Sequence, residues 1–367
     1  KRPIKFHRDI IVGDHVEKEE ISENTVLPSA DVFIGGPPCQ GFSSAGMRRP
    51  GDPRNTLVTV YATLIAKYRP LAFVFENVEG FLTGEGGARV LDLLAPLVDA
   101  GYRIHLRKIN AANYGVPQHR KRVIAVGGMG WDPVFLEPTH AARGAPGAEL
   151  VARHLSPAPS LASALEGLPE PASEPPGVPQ GHFAGRLSDV DLERLRALAP
   201  GQSMRDLPER MWHETFRRRA YRRVRDGTPT EHRGGAPHGI RRLRADEPSK
   251  AITSMSRSEF VHPTADRFLT LRECARIQGF ADDFTFDGSY AEQATLVGNA
   301  VPPQLAFAVA SRLKEDVTTQ RRPGSLPGRL LTFVPTASAG MSPALARVTS
   351  EVEGRFMPLG AVVPMCL

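Results

Sequence analysis

The chain has 367 residues, 41% of them apolar, and a formal net charge of +6, which suits a globular protein with one large domain or two ordinary ones. No run of about eighteen apolar residues occurs, so a membrane-spanning helix is excluded. Three widely spaced cysteines, Cys39, Cys274 and Cys366, argue against a disulfide framework and a Cys/His zinc site and for a reducing compartment.

In chain order, Ile4-Lys5-Phe6 is a short strand candidate followed by Asp9, with Asp14 after Gly13 as a second acid of interest. Val32-Phe33-Ile34 is the next strand, and it runs into Gly35-Gly36-Pro37-Pro38-Cys39-Gln40-Gly41-Phe42-Ser43. Two Gly and two Pro cannot continue a strand. The chain must turn there and present Cys39 at the strand's carboxyl end, where open α/β sheets place their chemistry. A lone cysteine is more often a small buried hydrophobe; here the flanking residues weigh against that. Residues 44–55, rich in Gly, Pro and Arg and including Arg54, suit a loop that closes over a phosphate-bearing substrate.

The spacing of Leu57, Val60, Leu64 and Ile65 predicts an amphipathic helix over 56–68. The apolar run 71–75 predicts a buried parallel strand that delivers Glu76-Asn77-Val78 at its end. A carboxylate there is costly unless it faces a cleft or is paired. A helix over 90–100 and a strand over 103–110 follow. Asn113-Tyr114-Gly115-Val116-Pro117 then turns the chain into Gln118-His119-Arg120-Lys121-Arg122 and a strand over 123–127.

Residues 131–203 are dominated by Pro, Ala, Gly and Glu and read as loop or linker. The stretch 205–244 holds twelve Arg and no Lys against five acidic residues, with Trp212, His213, Phe216 and Tyr221 interleaved. A charge run is usually a solvated face, but an Arg-only excess among aromatics suits phosphate and base contacts. A helix begins at Thr270, where Glu273 completes a capping box, and ends at Gly279, with Cys274 packed inside it. The last motif is Gly298-Asn299-Ala300-Val301-Pro302-Pro303. Residues after about 314 match no pattern and read as a tail, in which Cys366 is incidental.

In their order and flanking patterns, these motifs resemble those of the DNA (cytosine-5) methyltransferases over roughly residues 1–314, the middle region excepted. The resemblance implies an α/β fold, a Rossmann-like S-adenosylmethionine-dependent methyltransferase sheet with a smaller target-recognition region. It implies a catalytic core over 1–128, a linker and target-recognition region over 129–262, a return to the core over 263–314 and a tail over 315–367. By the same resemblance Cys39 is the nucleophile, Glu76 hydrogen-bonds N3 and N4 of the target cytosine, and Arg122 binds its O2. Gln118 and Arg120 would shape the pocket. Gln40, Ser43, Arg54 and Val78 would meet the substrate. Asp9, Pro38, Leu57, Asn299 and Ala300 would hold S-adenosylmethionine, and no metal is implied.

The chemistry behind the resemblance is a thiolate adding to C6 of a cytosine flipped out of duplex DNA, which makes C5 nucleophilic toward a methyl group. One departure stands out. The family opens with a strand and a Phe-x-Gly-x-Gly loop that cradles the cofactor's methionine, then a strand whose acid binds the ribose, and neither is present in this sequence. Because the chain starts with Lys, the sequence favours truncation at the amino end over a complementing amino-terminal chain. The implied protein is a cytoplasmic, nucleoid-associated DNA methyltransferase of a restriction-modification system, monomeric when complete. Two alternatives stay open: a catalytically incompetent DNA-binding fragment, and an RNA cytosine C5-methyltransferase.

Overall fold

The computed structural model describes residues 6–12, 15–21, 30–37, 56–142, 154–218, 239–336 and 340–357. The strands are β1 (Phe6–Val12), β2 (His15–Ile21), β3 (Val32–Gly35), β4 (Ala72–Val78), β5 (Tyr102–Asn110), β6 (Gln118–His119), β7 (Lys121–Met129), β8 (Arg241–Arg242), β9 (Ser249–Lys250), β10 (Phe260–Val261) and β11 (Arg329–Val334). The helices are α1 (Leu57–Tyr68), α2 (Ala88–Asp99), α3 (Leu161–Leu165), α4 (Asp189–Arg196), α5 (Ser256–Glu259), α6 (Leu271–Gln278), α7 (Tyr290–Asn299), α8 (Pro303–Gln320) and α9 (Pro343–Phe356). Two compact units result, one of residues 1–109, 122–136 and 311–366, the other of 110–121 and 137–310.

The first unit is built on a five-stranded sheet in the order β11-β5-β7-β4-β3. β3 and β4 run parallel, joined through α1, while β4 and β7 are antiparallel and β5 and β11 parallel. The near-continuous apolar runs of β4 and β7 are those of strands buried on both faces. Phe73 and Phe75 from β4 pack with Val58, Ala62 and Ile65 of α1 and with Val90, Leu93, Leu94 and Leu97 of α2. Each such side chain, fully buried, contributes about 1.5–3 kcal/mol relative to exposure. Tyr61 and Tyr102 bury their rings but spend their hydroxyls on the carbonyls of Val74 and Pro70.

Two expectations are corrected in this unit. The stretch from 315, expected as a tail, supplies β11 in parallel register with β5, and α9, whose Leu345, Val348, Val352 and Phe356 enter the same core. The spacing of those four residues, with steps of three and four, is that of one helix face. The strand expected near Ile4 with an acid at its end is instead β1, which pairs antiparallel with β2 in a sheet of its own. Asp9 sits mid-strand opposite Lys18, because the β-branched Ile10, Ile11 and Val12 extend the strand past it.

The second unit packs around two apolar clusters. One gathers Leu161, Leu269, Leu271, Cys274, Ala275 and Ile277 about α6, with Ala294 and Val297 from α7. The predicted capping box of α6 is present: the Thr270 hydroxyl accepts from the Glu273 amide and the Glu273 carboxylate accepts from the Thr270 amide. Gly279 closes the helix in the left-handed conformation. Cys274 lies in the core as expected, and burial pushes its thiol pKa up, so it is no nucleophile.

The other cluster holds Leu195, Leu198, Met204, Leu207, Phe216 and Ile240, with Trp212 packed against it. Trp212 meets Phe216 edge-on and donates its indole N–H to the Leu207 carbonyl. These two aromatics, expected as base contacts, are core. Their spacing of four along the chain fits a shared apolar face as well as it fits a nucleic-acid surface.

Candidate active site

The end of β4 and the start of β7 place the first pair of predicted site residues together. Their antiparallel register sets Glu76 opposite Ile124 and Val78 opposite Arg122. The Arg122 guanidinium donates to Glu76, Nε to Oε1 at 2.7 Å, with the two side chains 13% and 20% exposed. Burial pulls the Arg122 pKa below its usual value, and the neighbouring Glu76 carboxylate opposes that pull. A carboxylate at the end of an apolar strand is thus paired with a cation and partly exposed.

The residues that lead from β3 toward Cys39 start beside this pair. Parallel register sets Gly35 opposite Phe75, so Gly36 follows next to Glu76. A Cβ on Gly36 would stand 3.2 Å from Glu76 Oε2, tighter than most side chains tolerate, so glycine there leaves the carboxylate its room. One residue on, Asn77 Nδ2 donates to the Pro37 carbonyl at 3.0 Å, and Asn77 Oδ1 accepts from the Val78 amide at 2.8 Å. Asn77 is buried. Pro38, Cys39, Gln40, Ser43 and Arg54, named from the sequence, lie outside the described residues.

Val78 closes β4 half-buried, its side chain packed against the core of this unit. Leu57 heads α1 and is 6% exposed, part of the packing under the helix.

Gln118 and Arg120, expected to shape the pocket, belong to the second unit. Gln118 is fully buried and its amide is saturated: Nε2 donates to the Ile277 carbonyl at 2.9 Å and to Gln278 Oε1 at 2.7 Å, while Oε1 accepts from the Ile252 amide at 3.0 Å. Arg120 is 2% exposed and donates to the carbonyls of Ile252, Gly298 and Ala300 at 2.8, 2.8 and 2.9 Å. The two side chains knit the loop at 252 to the ends of α6 and α7. Asn299 and Ala300 sit at the end of α7, held through these carbonyls. Gly298 packs so tightly on residues 253–254 that a Cβ would meet the Ser254 amide nitrogen at 2.3 Å.

Sequence reasoning missed Asn77 and Arg242. Asn77 was visible as the middle of Glu-Asn-Val, yet nothing in the pattern says that its amide reaches back to Pro37. Arg242 was counted among the phosphate-binding arginines. It is buried and donates to the carbonyls of Leu195, Leu198, His262 and Ala265 and to the Asp266 carboxylate. Among the described residues no cluster of His, Cys, Asp and Glu suited to a metal occurs, and no helix is long and apolar enough to cross a membrane.

The chain is similar to known proteins along most of its length. It is 33% identical over 373 residues to the Type II methyltransferase M.AgeI of Thalassovita gelatinovora, covering 82% of this chain and 86% of that one. It is 32% identical over 284 residues to the Type II methyltransferase M1.HphI of Haemophilus parahaemolyticus, covering 76% and 67% respectively. Among solved structures, a DNA modification methyltransferase encoded within an E. coli prophage superposes with a TM-score of 0.54 at 20% identity, over 79% of this chain and 80% of that one. That likeness supports the fold. The family model for C-5 cytosine-specific DNA methylases matches residues 5–143 and 186–315, and with that match over most of its length the chain belongs to the C-5 cytosine-specific DNA methylase family.

Proposed function

We propose that the site at the ends of β3, β4 and β7 performs the cytosine chemistry of this family on duplex DNA, with Cys39 as nucleophile and Glu76 and Arg122 holding the base. The observation that carries the reading is the Glu76–Arg122 pair at 2.7 Å beside the root of the Cys39 loop. It sets a proton carrier and a cationic donor side by side, as the N3 and O2 edge of an extruded cytosine requires. The Cys39 thiolate forms a bond to C6, and the C5=C6 electron pair shifts through C4 toward N3, where Glu76 receives the new charge by hydrogen bond or proton. Arg122 neutralises O2. C5 is then an enamine carbon able to attack an electrophile. Loss of the C5 proton and expulsion of the thiolate restore the aromatic ring.

S-Adenosylmethionine is the methyl donor of this family and supplies an electrophilic methyl group. The described residues do not by themselves make a cradle for it. No glycine-rich turn follows a described strand before β3. Leu57 is packed under its helix, and the carbonyl of Ala300 is taken by Arg120. β3 is an edge of the five-stranded sheet, with Ile34 71% exposed. An edge strand carries unpaired N–H and C=O groups that a further strand can take up. Among the described residues the edge at β3 is open, which supports the reading that a further strand pairs there, on this polypeptide or on a complementing one. The Type II relatives suggest a role in restriction-modification, acting on cellular DNA in the cytoplasm.

The test needs no cofactor. Reversible addition of a thiolate to C6 lets C5 pick up a solvent proton and release its own hydrogen. DNA of mixed sequence carrying tritium at cytosine C5 should therefore lose tritium to water in the presence of the chain, and Cys39→Ser should abolish the loss. Equal release by parent and variant, or none by a folded parent, overturns the reading. Release from labelled RNA alone would move the substrate from DNA to RNA.

A further inference from the structure

Three features place the root of the Cys39 loop under the control of β4. Parallel register brings Gly36 and Pro37 alongside Glu76 and Asn77. The absent side chain of Gly36 leaves space for Glu76 Oε2. The buried Asn77 amide donates to the Pro37 carbonyl, two residues ahead of Cys39, and is itself fixed by the Val78 amide. A proline carbonyl at the end of a strand has no ladder partner on the following turn, and this donor satisfies it.

From this geometry we infer that Asn77 is a positioning residue for the nucleophile. It locks the entry of the Cys39 loop to the strand that carries Glu76, so that the thiolate and the N3 partner are held in one frame. The inference rests on the proposed role of Cys39. It adds that the middle residue of Glu-Asn-Val acts on the loop and makes no contact with the base. Misplacement of a reacting group by about 1 Å costs on the order of 10²-fold in rate, and a hydrogen bond at the loop's root controls placement on that scale.

Two substitutions separate this from a general structural role. Asn77→Ala removes donor and acceptor. Asn77→Asp keeps the shape and the acceptor to Val78. It offers a donor to the Pro37 carbonyl only while its carboxyl is protonated. Tritium release from C5-labelled DNA should fall about 10²-fold in Asn77→Ala at every pH, with DNA affinity close to the parent's. The deficit of Asn77→Asp relative to the parent should shrink as the pH is lowered toward the pKa of its carboxyl, which burial and the neighbouring Glu76 carboxylate raise above the ordinary value of about 3.9.

Hydrogen exchange of the free protein gives a readout independent of catalysis. Amides in 38–45 should exchange faster in Asn77→Ala while those of β4 and α1 keep the parent's protection. Unchanged exchange in 38–45, or tritium release equal to the parent's in both variants, overturns the inference. Should the parent release no tritium, the proposed function fails, while the exchange measurement still decides whether Asn77 clamps the loop.

Discussion

At the scale of single residues, the site turns on two side chains that each make the other tolerable. Glu76 ends an apolar strand and Arg122 begins one, and neither charge would be held there alone without a large desolvation cost. Together they form an ion pair at 2.7 Å that is partly exposed. Glu76→Gln keeps the size and hydrogen-bonding capacity but removes the carboxylate proposed to take charge from N3. We expect tritium release from C5 to fall by about 10²-fold or more with DNA affinity little changed. Turnover equal to the parent's would remove Glu76 from the chemistry. Residues 118, 120 and 122 alternate as if on one face of a strand. The strand breaks at Arg120, however, so β6 and β7 are separate, and Gln118 and Arg120 enter the second unit, where Gln118 bonds Gln278 and the backbone and Arg120 donates to three carbonyls.

At the scale of elements, motifs with local chemistry were legible and elements defined by distant partners were not. The α6 capping box, the apolar run of β4 and the end of β3 at Gly35 follow from residues within a few positions of one another. β11 is six residues long, Arg329–Val334, and its partner β5 is more than two hundred positions earlier. Nothing local marks it as part of the central sheet. One half-buried histidine ties the two strands. His105 of β5 accepts at Nδ1 from the Thr332 hydroxyl at 2.9 Å and donates at Nε2 to the Pro133 carbonyl at 2.8 Å. Burial first, and then the Arg107 charge, lower its pKa to about 4; the Pro133 hydrogen bond and the charges of Asp132 and Asp316 oppose the shift.

In the unfolded chain His105 titrates near the ordinary histidine value of about 6.5. Between about pH 6.5 and about pH 4 the unfolded state therefore binds a proton that the folded state does not, and stability falls as pH falls through that window. The shift is worth roughly 3 kcal/mol at most. Urea titrations across the window should show a shallower loss of stability in His105→Gln than in the parent. Parallel curves would mean that this imidazole is not what the acid attacks.

At the scale of the whole molecule, charge has to be divided between arginines that build the second unit and those left for a polyanion. Arg242 is spent on four carbonyls and Asp266, and Arg244 on Asp246. Arg217 and Arg218 pair with Glu214 on the surface and remain partly exposed. Arg222, Arg223 and Arg225 lie outside the described residues, and their charge enters as sequence alone. Each arginine that meets a phosphate adds about 0.9 to the slope of log affinity against log salt. Replacing Arg222, Arg223 and Arg225 by Ala should thus weaken DNA binding for every sequence and flatten that slope by up to about 2.7, with the melting temperature unchanged. Arg242→Ala should do the reverse: it strands four carbonyls, two in buried and two in part-buried bonds, and lowers the melting temperature, while any DNA bound by the folded fraction keeps the parent's slope. Salt titrations of both variants against duplex DNA decide the matter. An unchanged slope for the triple variant would make 222–225 an ordinary solvated surface and leave the basic balance of the chain without a phosphate to explain it.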